Sequence, residues 1–355
     1  MNVKKLSLLL FAMLLPLMAD ARDAVINGIF YYFDSNSQTA TVTDGWNYSG
    51  TVTIPEEVSY NGVVYRVTTI GQNAFHNCIG LTSVTIPNSV TTIGQSAFSG
   101  CTGLTSITIG NSVTTIGTYA FRDCQGLTSI TIPSSVTTIG GSAFQDCTGL
   151  TSFTIPNSVT YIGESAFSGC SSLTSVTIGS SVTTIGNFAF QECSSLFEVI
   201  IPNSVTTIGS FAFSGCSSLT SVNIPNSVIT IDSHAFDKTG IYNNSPNGVF
   251  YVDKWVCGYK GNMPTNNLAL NEGTRGICNF AFSGCTNLTS LTIPNSVTTI
   301  GVSAFSACRN LTSITIPNSV TTIAASAFSA CSGLTSITIP NSVTAIGNCA
   351  FFGCI

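Results

Sequence analysis

The sequence predicts a mainly β repeat solenoid, on three observations. Cysteine falls at positions 78, 101, 124, 147, 170, 193 and 216, then at 285, 308, 331 and 354; every step inside a run is 23, and the jump between runs is three times 23. Phenylalanine keeps the same interval from Phe75 to Phe236 and from Phe282 to Phe351, as does isoleucine from Ile70 to Ile231 and from Ile277 to Ile346. Between these columns apolar and polar residues alternate as they do in a short half-buried strand. Self-similarity at one fixed period, sustained over twelve phenylalanines, is the mark of stacked repeats.

One unit, residues 81–103, shows why each element is expected. Leu81, Val84 and Ile86 are apolar, and Ser83 and Thr85 alternate with the last two, giving a strand with one face inward. Pro87 follows; it lacks an N–H and ends the ladder. Asn88-Ser89 supplies a turn, and Val90 and Ile93 return to the core with Thr91 and Thr92 between them. Gly94 allows a bend, and the Ala97-Phe98 segment is expected to form one short helical turn at the corner. The large side chains of one unit contribute less than the ordering of its backbone costs, so a lone unit cannot fold and stability must reside between units. Twelve rungs at about 4.8 Å give a rod or arc about 55–60 Å long.

The L-x-x-I-x-I-P strand, N-S-V-x-x-I-G return and A-F-x-x-C corner, as in Leu311 to Cys331, resemble leucine-rich repeats of the BspA type, a family of bacterial surface and secreted proteins. The resemblance covers nearly all of residues 54–355. It implies a 23-residue leucine-rich-repeat solenoid built on a parallel sheet. It also implies adhesion to host matrix proteins or other microbes, and none of the shared motif is catalytic.

Composition narrows the function. Only 7% of residues are charged and the net charge is −5, which leaves no basic footprint for nucleic acid or acidic lipid. With 44% of the chain hydrophobic and regularly placed, a disordered reading fails. Residues 1–21 read as a secretory signal: Lys4 and Lys5, an apolar core from Leu6 to Met18, and a small-x-small site at Ala19-Asp20-Ala21. The expected mature chain is secreted or held at the cell surface, with no membrane insertion. Fourteen cysteines in such a chain invite a disulfide framework. Eleven share one repeat column, however, and stacked equivalent side chains point the same way, so buried thiols are expected there. Cys257, Cys278 and Cys349 lie off that column, and the sequence leaves their state open.

The period breaks in three places. Residues 22–69, with Phe30-Tyr31-Tyr32-Phe33, Asp44-Gly45-Trp46 and Tyr60-Asn61-Gly62, read as β-hairpins capping the first rung of the 70–355 solenoid. At about 242–264 a hairpin is expected to replace one rung, its strands Val249–Val252 and Trp255–Cys257 flanking Asp253-Lys254. The chain ends one residue after the last repeat cysteine with no polar cap. That points to truncation; the alternative is a partner over the edge, including self-association through the uncapped C-terminal edge.

No catalytic, cofactor or metal motif appears. His76 and His234 stand beside Ala-Phe corners without a nucleophile, and Asp123, Asp146, Glu164 and Glu192 sit in corner loops as solvated groups. A non-enzymatic, adhesin-like binding scaffold for host or microbial proteins or glycans is therefore expected. Its candidate ligand-binding residues are Tyr251, Lys254, Trp255 and Tyr259 of the hairpin and Glu198 of one irregular strand, because aromatic residues dominate binding hot spots. The competing reading has the hairpin aromatics packing onto the solenoid. A passive spacer or surface-layer element is the structural alternative, and a threonine-faced ice-binding solenoid a remote one.

Overall fold

A computed structural model describes residues 23–45, 47–263 and 267–354. The expected signal segment and Trp46 fall outside them. The cap begins with Asp23–Ile26 antiparallel to Ile29–Asp34, joined by Asn27 and Gly28, both with left-handed φ (50° and 79°), as a tight hairpin requires. Ile29–Asp34 then pairs antiparallel with Thr39–Val42, which runs parallel to Val63–Ile70. That last strand pairs in turn with Thr92–Ile93 of the first regular rung. Cap and solenoid thus share one sheet of 12 strands. Tyr31, Phe33 and Tyr65 are buried beneath the cap, and Tyr48 packs 4.6 Å from Phe75, the first ring of the repeat column.

Beyond the cap every rung contributes two limbs. The L-x-S-I-T limb forms strands of two to five residues in three separate three-stranded sheets. The continuous sheet is built instead from the Thr-Ile return, at Thr92–Ile93, Thr115–Ile116, Thr138–Ile139 and onward, each in parallel register with its equivalent one period away. On this limb Thr91 and Gly94 donate their N–H groups to Thr68 and Ile70 of the rung before (2.9 and 2.8 Å). The threonine hydroxyls reinforce the stack: Thr114 donates to the carbonyl of Thr91, Thr137 to Thr114 and Thr206 to Thr183 (3.2–3.3 Å).

The Ala-Phe corner is not a helical turn. It is a run of linked β-turns in which Ala97 N–H donates to Gly94 O and Cys101 N–H to Phe98 O. Ser96 (φ 54°) and Gly100 (φ 75°) adopt left-handed backbone, which a right-handed helix cannot carry. The reversals turn the N–H groups of Ser96, Phe98 and Gly100 toward the carbonyls of Thr118, Ala120 and Arg122 in the next rung (2.7–2.9 Å). The corner is therefore a hydrogen-bonded ladder of its own.

The phenylalanine column forms a ring stack inside that ladder. Phe75, Phe98, Phe121, Phe144, Phe167, Phe190, Phe213 and Phe236 follow one another at 4.9–5.4 Å with planes within 12° of parallel. The stack resumes at Phe282 and runs to Phe351. Beside it the column cysteines carry free thiols.

Between Phe236 and Phe282 the solenoid is interrupted. Thr239 occupies the cysteine position and caps the short helix Gly240–Asn244, its hydroxyl accepting from Tyr242 N–H. The strands Gly248–Val252 and Trp255–Lys260 follow, antiparallel about Asp253-Lys254. Trp255–Lys260 then pairs parallel with Gly276–Ile277, opening a second sheet of six strands. Two side chains reach across the inserted rung: Arg275 bonds the carbonyls of Pro225 and Val228, and the Asn279 amide bonds the Asp232 carboxylate. Among the described residues no helix is long and apolar enough to cross a membrane.

Candidate binding surface

The candidate surface grows from one position of the corner, three residues after each column isoleucine. Its occupants include Ser96, Tyr119, Ser142, Ser165, Phe188, Phe211, His234, Phe280, Ser303 and Ser326, all with φ between 51° and 60°. Glycine or asparagine adopts such backbone at least cost, and a bulky ring there is an outlier. Even so, Phe188 and Phe211 stack at 5.2 Å, and Phe211 and His234 at 4.9 Å. Phe280 is 46% exposed. The aromatic run thus forms a second, outward ring column parallel to the buried one.

The inserted hairpin breaks this outer column. One period beyond His234 the frame falls on Cys257, which lies in the strand Trp255–Lys260 and not in a corner. The missing ring leaves a cleft of about 240 Å³ lined by His234, Asp237, Tyr242, Cys257, Tyr259 and Phe280, among others. His234 Nδ1 lies 2.7 Å from the Asp237 carboxylate, which orients the imidazole at the cleft wall. The cleft therefore offers aromatic faces, two of them phenols, and one imidazole–carboxylate pair. Among the described residues no group of three or more His, Cys, Asp or Glu is placed to hold a metal ion.

Of the residues expected from sequence, only Tyr259 lines this cleft. Trp255 is 1% exposed: its ring lies over Gly276 and under the Arg275 guanidinium, 5.4 Å from the ring centroid. Trp255 is thus covered and not part of an exposed contact surface: it pairs with Gly276, in the threonine column, where the absent side chain leaves room for the ring, while Val256 pairs with the core residue Ile277. Phe250 is buried as well, so for these two rings the packing reading holds. Tyr251 lies away from the cleft with its hydroxyl accepting from Asn271 N–H (2.8 Å). Lys254 is exposed at the hairpin tip, and its carbonyl accepts from Arg275 N–H. The Lys260 ammonium is spent on the helix end, donating to the carbonyls of Tyr242, Asn243 and Ser245 (2.7–3.1 Å). Glu198 stands apart on the strand Glu198–Ile200, exposed between Phe197 (55%) and Ile200 (71%). The sequence reading missed Phe188, Phe211, His234 and Phe280. Their signal was a ring replacing serine in a frame already known.

A family model described as "BspA type Leucine rich repeat region" matches residues 68–196, 142–251 and 258–355. A leucine rich cell surface protein from Faecalibacterium prausnitzii A2-165 is 33% identical, with 94% of this chain and 86% of that one covered and a TM-score of 0.56. The leucine rich repeat protein of T. pallidum is 30% identical over 56% of this chain and 91% of that one, with a TM-score of 0.50. No curated protein matches the chain.

Proposed function

Because this chain belongs to the BspA-type leucine-rich-repeat family, we propose that it is a secreted or cell-surface binding scaffold without enzymatic activity, adhesin-like, whose partners are proteins or glycans on host or microbial surfaces. The F. prausnitzii relative is itself a cell surface protein, which supports the location. The contact surface is the cleft at the interrupted rung together with the outer ring column leading to it. One observation carries this reading: rings occupy backbone that favours small residues, at 55–60° in φ, in the rungs that flank the interruption. Serine serves the fold at this position in other rungs, whereas rings that are half-buried (Phe188, Phe211) or exposed (His234, Phe280) and held rigid at a surface are effective binding anchors.

The test is binding of the purified chain to arrays of extracellular proteins and glycans, followed by the double variant His234→Ser with Phe280→Ser. Serine occupies this position in Ser142 and Ser303 with similar left-handed φ, 54° and 51°, so the backbone accepts both replacements. Affinity for a retained ligand is expected to fall about tenfold or more. Unchanged affinity would move the site elsewhere on the rod, and an array with no retained ligand would remove the adhesin reading.

A further inference from the structure

Cys257 and Cys278 are the two cysteines that the interruption brings face to face. The strands Trp255–Lys260 and Gly276–Ile277 pair parallel with Val256 opposite Ile277, so the next residues along each strand are neighbours. Cys278 N–H donates to Val256 O (2.9 Å), which fixes the register at that point. The two sulfurs lie 2.8 Å apart. The column thiols are placed otherwise: those of Cys101, Cys124, Cys147 and Cys170 each point at the carbonyl of a phenylalanine 26 residues earlier. Cys278 also departs from its column, since it stands where Gly94, Gly117 and Gly140 stand in regular rungs. A Cβ at Gly94 would meet the Gly71 carbonyl carbon at 2.8 Å; beneath Cys278 the register places Cys257 of the hairpin strand instead of such a glycine.

We infer that Cys257 and Cys278 form a disulfide that fastens the inserted hairpin to the following rung, at the wall of the cleft. The oxidant is a small or protein disulfide supplied by the oxidising compartment. Cys257 is partly exposed and Cys278 buried, so the Cys257 thiolate attacks the oxidant disulfide and expels one thiolate. Cys278 then loses its proton, attacks the Cys257 sulfur of the mixed disulfide and expels the second. Two cysteine thiols are oxidised by two electrons, and the oxidant disulfide is reduced to two thiols. The sulfurs close from 2.8 Å to about 2.05 Å. Burial holds the Cys278 thiol well above its ordinary range, so the second step is the slow one until the mixed disulfide places its target in contact.

Tryptic mapping of the full chain under non-reducing conditions, after equilibration with oxidised glutathione and blocking of free thiols, tests this. Cleavage after Lys254, Lys260, Arg275 and Arg309 yields peptides 255–260 and 276–309. They are expected as one cross-linked species, lighter by two hydrogens than their sum, with fragmentation placing the bond on Cys278 and not on Cys285 or Cys308. The variant Cys257→Ser should lose the species and leave Cys278 to be alkylated on denaturation without reductant. Amide exchange at Cys278 should be slower in the oxidised chain by about tenfold. A fully alkylated Cys257, a bond to any other cysteine, or equal exchange in oxidised and reduced chains would overturn the inference.

Discussion

The thiol of Cys147 donates to the backbone carbonyl of Phe121, 3.0 Å away in the preceding rung. The residue is fully buried, so one small side chain both fills space beside the ring stack and ties two rungs together. Alanine fills less and donates nothing. Cys147→Ala is expected to lower stability by about 1–2 kcal/mol, from lost volume and a weak hydrogen bond together. Urea denaturation with an unchanged slope measures it, and a neutral result would show that neither the volume nor the hydrogen bond of the column cysteine stabilises the stack.

The same column makes the protein sensitive to alkali. Burial pushes the thiols of Cys101, Cys170 and Cys216 up to about 12, against about 8.5 in an unfolded chain. Below the unfolded value both states hold the proton and the contribution is complete. Between the two values the unfolded chain has released a proton that the folded chain keeps, so stability falls as pH rises. Each such thiol contributes a slope of about 1.4 kcal/mol per pH unit. Comparing the wild type with Cys170→Ala from pH 8 to pH 11 isolates one thiol; parallel profiles would contradict the assignment.

Much of this fold is legible because the repeat samples every position twelve times. The Cys, Phe and Ile columns read as core, and Cys147, Phe144 and Ile139 are buried. The corner is not legible: serine at Ser96 or Ser142 carries no sign of left-handed backbone, and the reversal arises from hydrogen bonds to the next rung. The site divides in the same way. Aromatic content drew attention to Trp255, but which ring of a hairpin is covered depends on a parallel pairing with Gly276 that lies outside the hairpin itself. His234 and Phe280 were in frame and readable as departures from serine, yet nothing in the sequence places the two on one cleft until a rung between them loses its corner.

Gly276 is the counterpart of that covered tryptophan. A Cβ there would lie 2.5–2.8 Å from three atoms of the Trp255 ring, itself covered by Arg275. Gly276→Ala must displace a ring with no free side, and is expected to cost about 1–3 kcal/mol by overpacking. Because the strand of Trp255 joins the hairpin to the second run of rungs, the damage should concentrate at the junction. Amide exchange at Cys278 should accelerate while that at Phe98, far along the rod, stays as it was. Uniform acceleration would mean that the rod unfolds as one unit and that the junction is no weak point.

The regular rungs and the interrupted one should respond in opposite ways to removal. Within a regular run the inter-rung bonds join residues at a fixed separation, as in Thr114 to Thr91 and Thr137 to Thr114. Excising residues 124–146 joins Asp123 to Cys147 and returns each group to an equivalent partner. Such a chain should fold with an unchanged spectrum and a denaturant slope lower by roughly one-twelfth, in proportion to surface exposed. It should also keep whatever ligand the parent binds. Excising residues 242–264 removes Trp255 from beneath Arg275 and Tyr242, Cys257 and Tyr259 from the cleft. A passive spacer would tolerate both deletions alike. A binding scaffold with its contact surface at the interruption loses ligand only with the second, and equal retention by both would place the contact surface elsewhere on the rod.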